Sequence, residues 1–221
     1  MVKGDVSPDT LHAVPWGPRN AVRFAPRCLF VVVLREPGER AAASHRSRGV
    51  QKPLACAVEV AMAAAKKCLY KKHRARRAGP CAVDRVLVDG LYAYVLKPWL
   101  DELSFVEVVD YANVADDVDA VASRVWRRLG LSVTSLATPP PPPPPNAPRV
   151  ETSVRAGLDA YFARPNDDLR TLLSSRRLPL PAFLAARSEW DLGAARAGVA
   201  AACRRARTKP ARPPRKQRRV G

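Results

Sequence analysis

The sequence is short of the residues that build metal and redox centres. It has three histidines (His12, His45, His73) and five cysteines (Cys28, Cys56, Cys68, Cys81, Cys203), with no Cys-x-x-Cys pair. That count and spacing exclude the usual zinc patterns and the thioredoxin-type redox motif. Cys28 opens an apolar run and reads as a small core residue. Long hydrophobic stretches are also lacking: residues 28–34 and 55–65 are the most apolar, both too short for a bilayer, and Glu59 interrupts the second. The N-terminus shows no basic stretch leading into an apolar one, so no signal peptide is read. There is no internal repeat, and no acid follows Asp191.

What is abundant is positive charge, alanine and proline. The 221 residues carry a formal net charge of +18, and nine Lys and Arg fall between Arg204 and Arg219. About half the excess charge therefore belongs to a Pro/Arg-rich end with nothing to bury, and residues 196–221 read as a disordered basic tail. The remaining residues, 1–195, are enough for one α/β domain with a core, and too few for two.

Residues 28–34 form a continuous apolar, β-branched run followed by Arg35-Glu-Pro-Gly38. Unbroken apolarity predicts a strand of a parallel sheet covered on both faces. Helices are expected over 39–47, 54–73 and 88–103, the last from Leu91, Val95, Trp99 and Leu103 at helical spacing. Residues 105–109 read as a second strand. Asp116 and Asp117 favour a helix start, with Val118, Val121, Val125 and Leu129 continuing the apolar stripe to Gly130. Seven prolines, Pro139 to Pro145, make an extended spacer inside an insertion at 138–148. Two helices, 153–163 and 166–174, are expected to break at Pro165. Strands interleaved with helices argue for an α/β layer architecture.

The segment from Phe30 to His45, Phe-Val-Val-Val-Leu-Arg-Glu-Pro-Gly-Glu-Arg-Ala-Ala-Ala-Ser-His, resembles the strand-loop-helix of sulfotransferases that use 3'-phosphoadenosine 5'-phosphosulfate (PAPS). Further stretches keep the family's order. Gly90-Leu-Tyr-Ala-Tyr-Val-Leu-Lys-Pro-Trp-Leu100 is similar to its Gly-x-Tyr-Ala helix, with residues 105–109, 111–117 and 125–131 following as its next strand and helix. Leu158-Asp-Ala-Tyr-Phe-Ala-Arg-Pro-Asn-Asp-Asp-Leu169 is similar to its late Tyr and Pro-Asn segment, and residues 180–190 to its closing Trp. Gly4-Asp-Val-Ser-Pro-Asp-Thr-Leu11 looks like the stretch that carries the catalytic glutamate in the Golgi heparan-type members.

The resemblance implies a P-loop-NTPase-like parallel sheet flanked by helices. It implies a sulfuryl transfer from PAPS, without a metal, to a hydroxyl or amine of a carbohydrate or glycosaminoglycan-like acceptor. Arg35 and Ser44 would hold the 3'-phosphate, since a guanidinium fork and a hydroxyl are suitable donors to it. Counting from Arg35, the family's serine position is Ala43, and Ser44 lies one residue beyond. Asp5 would serve as the base, one methylene shorter than the family's glutamate, beside Val6 in place of its lysine. The family's phosphosulfate-binding loop, Pro-Lys-x-Gly-Thr-Thr or similar, and the strand before it have no counterpart, which implies a truncated domain or an inactive, scaffold-like relative. The resemblance to the eukaryotic carbohydrate members implies a location in the Golgi lumen or membrane, given an upstream anchor. The competing class is a nucleic-acid or polyanion binder through Lys66 to Arg77 and the tail, although neither cluster forms a recognised nucleic-acid motif.

Overall fold

The computed structural model describes residues 11, 16–47, 52–69, 85–132, 150–185 and 192–208. Asp5, the proline insertion 138–148 and the basic stretch beyond Thr208 lie outside these residues. Among the described residues the order is α1 (Trp16–Phe24), β1 (Phe30–Leu34), α2 (Pro37–Ser47), α3 (Leu54–Leu69), α4 (Arg85–Val88), α5 (Tyr92–Glu102) and β2 (Val106–Asp110). There follow α6 (Tyr111–Asp116), α7 (Val118–Arg128), α8 (Thr152–Ser175), a 3-10 turn (Ala182–Leu184) and α9 (Leu192–Thr208).

The two strands run parallel, Phe30 opposite Val106 through Leu34 opposite Asp110. The parallel pairing is as the apolar run predicts; the burial is not. Val31 and Val33 are 41% and 50% exposed, while Leu34 is fully buried. Among the described residues the sheet has two strands, so both are edge strands. On the face shared by Val31, Val33, Glu107 and Val109, ion pairs tie α7 to β2. Arg124 and Arg128 of α7 both pair with the buried Glu107 carboxylate, Arg124 at 3.0 Å. The expectation of a strand covered on both faces is thereby corrected: alternate side chains of β1 remain open. Cys28 is exposed rather than in the core, because the chain is still in the turn after α1, with the Cys28 N–H donating to the Ala25 carbonyl at 3.1 Å.

Two apolar clusters divide the molecule. One joins Ala41, Cys56, Val58, Leu87, Leu158, Phe162, Val199 and Cys203; the other joins Leu34, Leu96, Trp99, Val108, Leu169, Leu173 and Leu184. Helix α8 is the spine between them, and it runs unbroken through Pro165, where two helices were expected. A proline inside a helix costs about 3 kcal/mol. Phe162 before it and Leu169 after it are each anchored in a different cluster, and that packing overrides the local break.

Residues 196–208, assigned by composition to the tail, instead complete α9. The stretch is rich in alanine, the best helix former, and Val199, Ala202 and Cys203 are buried. A disulfide between Cys56 and Cys203, 147 residues apart, ties α9 to α3.

Candidate active site

The site lies at the C-terminal ends of the two strands, the edge at which ligands of open parallel α/β sheets bind. Because Leu34 is paired with Asp110, the next residues, Arg35 and Tyr111, leave the sheet side by side. The Arg35 guanidinium carbon stands 4.8 Å from the centre of the Tyr111 ring, a cation–π contact that fixes the plane of the fork. Its Nε lies 3.5 Å from a Glu39 carboxylate oxygen. That Nε is sheltered from solvent and makes no hydrogen bond, so Arg35 holds an unused donor at the sheet edge. Tyr111 carried no role in the sequence reading; its only signal is the strand register.

The loop after Arg35 is held from several sides. Glu36 caps α2 with its side chain: one oxygen accepts the Gly38 N–H at 2.8 Å, the other the Glu39 N–H at 2.6 Å, and Arg155 of α8 pairs with it at 3.2 Å. Glycine at 38 leaves room for this carboxylate, 3.2 Å from where a Cβ would stand. The cap uses up the free N–H groups that make a helix start an anion site. Arg35, rather than the end of α2, is therefore the group open to an anion.

Tyr92 of α5 donates its hydroxyl to the Arg35 carbonyl at 2.9 Å. Burial pushes its pKa up to about 12, partly offset by Arg40, so it remains a proton donor across neutral pH. Arg40 pairs with Asp89 at 3.5 Å, and Gly90 lies against Pro37 and Phe162. The Gly-x-Tyr segment, the Arg-Glu-Pro loop and the Leu-Asp-Ala-Tyr-Phe segment, separate in sequence, thus meet at one place. Tyr92→Phe is expected to cost about 1 kcal/mol, the net worth of one hydrogen bond, measured by urea unfolding.

Asp110 is the other buried anchor of this edge. One of its oxygens accepts the Ala112 N–H at 3.0 Å and caps α6; the other accepts the Ala182 N–H at 2.7 Å. It sets the backbone on which Tyr111 stands.

Ser44 is half-buried on α2, two turns in from the helix start. No hydrogen bond joins it to Arg35 among the described residues. Within α2, Ala43 follows Glu39 at four-residue spacing and shares its side of the helix. Ser44 is about 100° further round the helix. The structure thus brings Arg35 and Tyr111 together, sets Ser44 on a different side of α2 from Glu39, and does not describe Asp5.

Neither a family model nor a curated protein matches the sequence. Among solved structures the chain is similar to a sulfotransferase from Alicyclobacillus acidocaldarius, with 21% identity and a TM-score of 0.50. The match covers 76% of this chain and 62% of that one, so the chain spans about three-fifths of that enzyme's length. The described residues, helices around a small parallel sheet, have a sulfotransferase-like fold.

Proposed function

We propose that this chain carries the nucleotide-binding part of a PAPS-dependent sulfotransferase acting on a carbohydrate acceptor. One observation carries the reading: the segments that resemble the family converge on a single arginine at the C-terminal edge of a parallel sheet, with its Nε sheltered and unbonded. Arg35 fits a phosphate, to which its fork offers charge-assisted bonds. In this reading it holds the 3'-phosphate of PAPS together with Ser44. An acceptor hydroxyl or amine attacks sulfur, the bond from sulfur to the phosphate oxygen breaks, and adenosine 3',5'-bisphosphate leaves. Asp5 takes the acceptor's proton. Catalysis of this type rests on positioning and charge. The Cys56–Cys203 bridge supports a location in an oxidising compartment such as the Golgi lumen.

Calorimetry with adenosine 3',5'-bisphosphate tests it. Arg35→Ala is expected to weaken binding by roughly 1.5 to 3 kcal/mol, tenfold or more, with Arg35→Lys recovering only part. Removing the residues after Thr208 should change binding little. If that deletion abolishes binding and Arg35→Ala leaves it intact, the chain is a polyanion binder and not a transferase.

A further inference from the structure

The Arg35 guanidinium already has an anion beside it. Glu39 follows Arg35 by one helical turn, is half-exposed, and its carboxylate stands 3.5 Å from the sheltered Nε without a hydrogen bond. The other acid nearby, Glu36, is committed to the two N–H groups of the cap and to Arg155. The orientation of the guanidinium plane does not need Glu39, because the Tyr111 ring supports it and Tyr92 fixes the Arg35 backbone. A carboxylate that neither orients the arginine nor satisfies its donor, yet neutralises its charge, has the properties of a stand-in for a ligand.

We propose that Glu39 is an intramolecular competitor for Arg35, neutralising the anion site when it is empty and giving way to a phosphate that supplies more charge and better-directed oxygens. The inference rests on Arg35 being the nucleotide phosphate site. It gives the site an electrostatic threshold: a phosphate placed on Arg35 must displace Glu39, whereas a nucleotide with no group there gains nothing from doing so. A half-exposed pair is weak, so the threshold is small and falls as salt rises.

The sign of one measurement separates a competitor from a brace. In calorimetry on the full chain, Glu39→Gln is expected to tighten adenosine 3',5'-bisphosphate about fivefold at low salt, leaving adenosine 5'-monophosphate within twofold. The gain should shrink at high salt and vanish in an Arg35→Ala background. Weaker bisphosphate binding by Glu39→Gln would make Glu39 a brace and overturn the proposal, as would a gain that persists without Arg35. Equal tightening of both nucleotides would also overturn it, since that is a general field effect. Arg35→Ala as the reference keeps the two readings apart. If it weakens the bisphosphate while Glu39→Gln changes nothing, the phosphate site stands and the competitor falls. If the wild-type chain does not bind the bisphosphate, both fall. Circular dichroism of each variant confirms that α2 is intact.

Discussion

Replacing both Cys56 and Cys203 by alanine is expected to lower the unfolding free energy by about 3 to 5 kcal/mol, one of the two largest losses expected from changes to this chain. The bridge closes a loop across 147 residues of sequence, and in the chain-entropy account the constraint on the unfolded state grows with loop length. The folded state gives a second reason. Helix α9 contributes few sizeable buried side chains: Val199, Ala202 and Cys203 carry its contact with the core. Its ion pair, Arg205 with Glu151, is exposed on both sides and adds little. Helix α9 packs along α3 and α8 through this seam, and the covalent link fixes it to α3. Urea unfolding of the oxidised and reduced wild type beside the double variant measures the effect. The reduced wild type should approach the variant, and amide exchange should rise in α9 before it rises in β1 or β2. Equal stability of the oxidised and reduced forms would show that the seam alone holds α9.

The same pair shows where sequence reading stops. Cysteine arithmetic works on close spacings, and two cysteines 147 apart in an odd set of five carry no such signal. Local signals fared better where the chain's own chemistry decides the outcome. The apolar run before Arg35 does give a parallel strand, and the helix expected over 39–47 forms, beginning two residues earlier at Pro37. Reading that run as covered on both faces failed, because coverage depends on what packs over the strand, and Val31 and Val33 keep an open face. Pro165 misled in the opposite direction: a strong local breaker was overruled by anchors on either side of it.

In the site, Arg35 was legible because a strand followed by Arg-Glu-Pro is contiguous. Tyr111 was not, since its place beside Arg35 depends on the pairing of Leu34 with Asp110, a contact 76 positions apart in the numbering. Glu36 was given no role in the sequence, although its side chain reaches two N–H groups of α2 and Arg155. Ser44 shows how much one residue matters on a helix, where a single step turns a side chain by about 100°.

The tightest of the long-range contacts at this site gives the second large effect. Phe162 is almost wholly buried, and its removal in Phe162→Ala is expected to cost about 3 to 5 kcal/mol. Its ring lies so close to Gly90 that a Cβ there would stand 2.9 Å from two ring carbons and 3.1 Å from the Pro37 Cβ. Gly90 is therefore required for space, and Gly90→Ala should cost about 1 to 3 kcal/mol by overpacking. The two losses arise at one contact, a cavity in one case and a clash in the other, so they should not add. Combining Gly90→Ala with Phe162→Leu, which withdraws the ring carbons from the clash, should recover part of the loss, with a coupling of about 0.5 to 3 kcal/mol in a double-mutant cycle by urea unfolding. Pro37 adds a functional consequence. It begins α2 only two residues after Arg35, so a methyl group that pushes on Pro37 also displaces the loop bearing the guanidinium. Gly90→Ala should then weaken adenosine 3',5'-bisphosphate several-fold even where the chain is fully folded, and Phe162→Leu in the same chain should restore part of that binding. Recovery of stability without recovery of binding would show that the packing of Gly90 on Phe162 supports the core and not the position of Arg35.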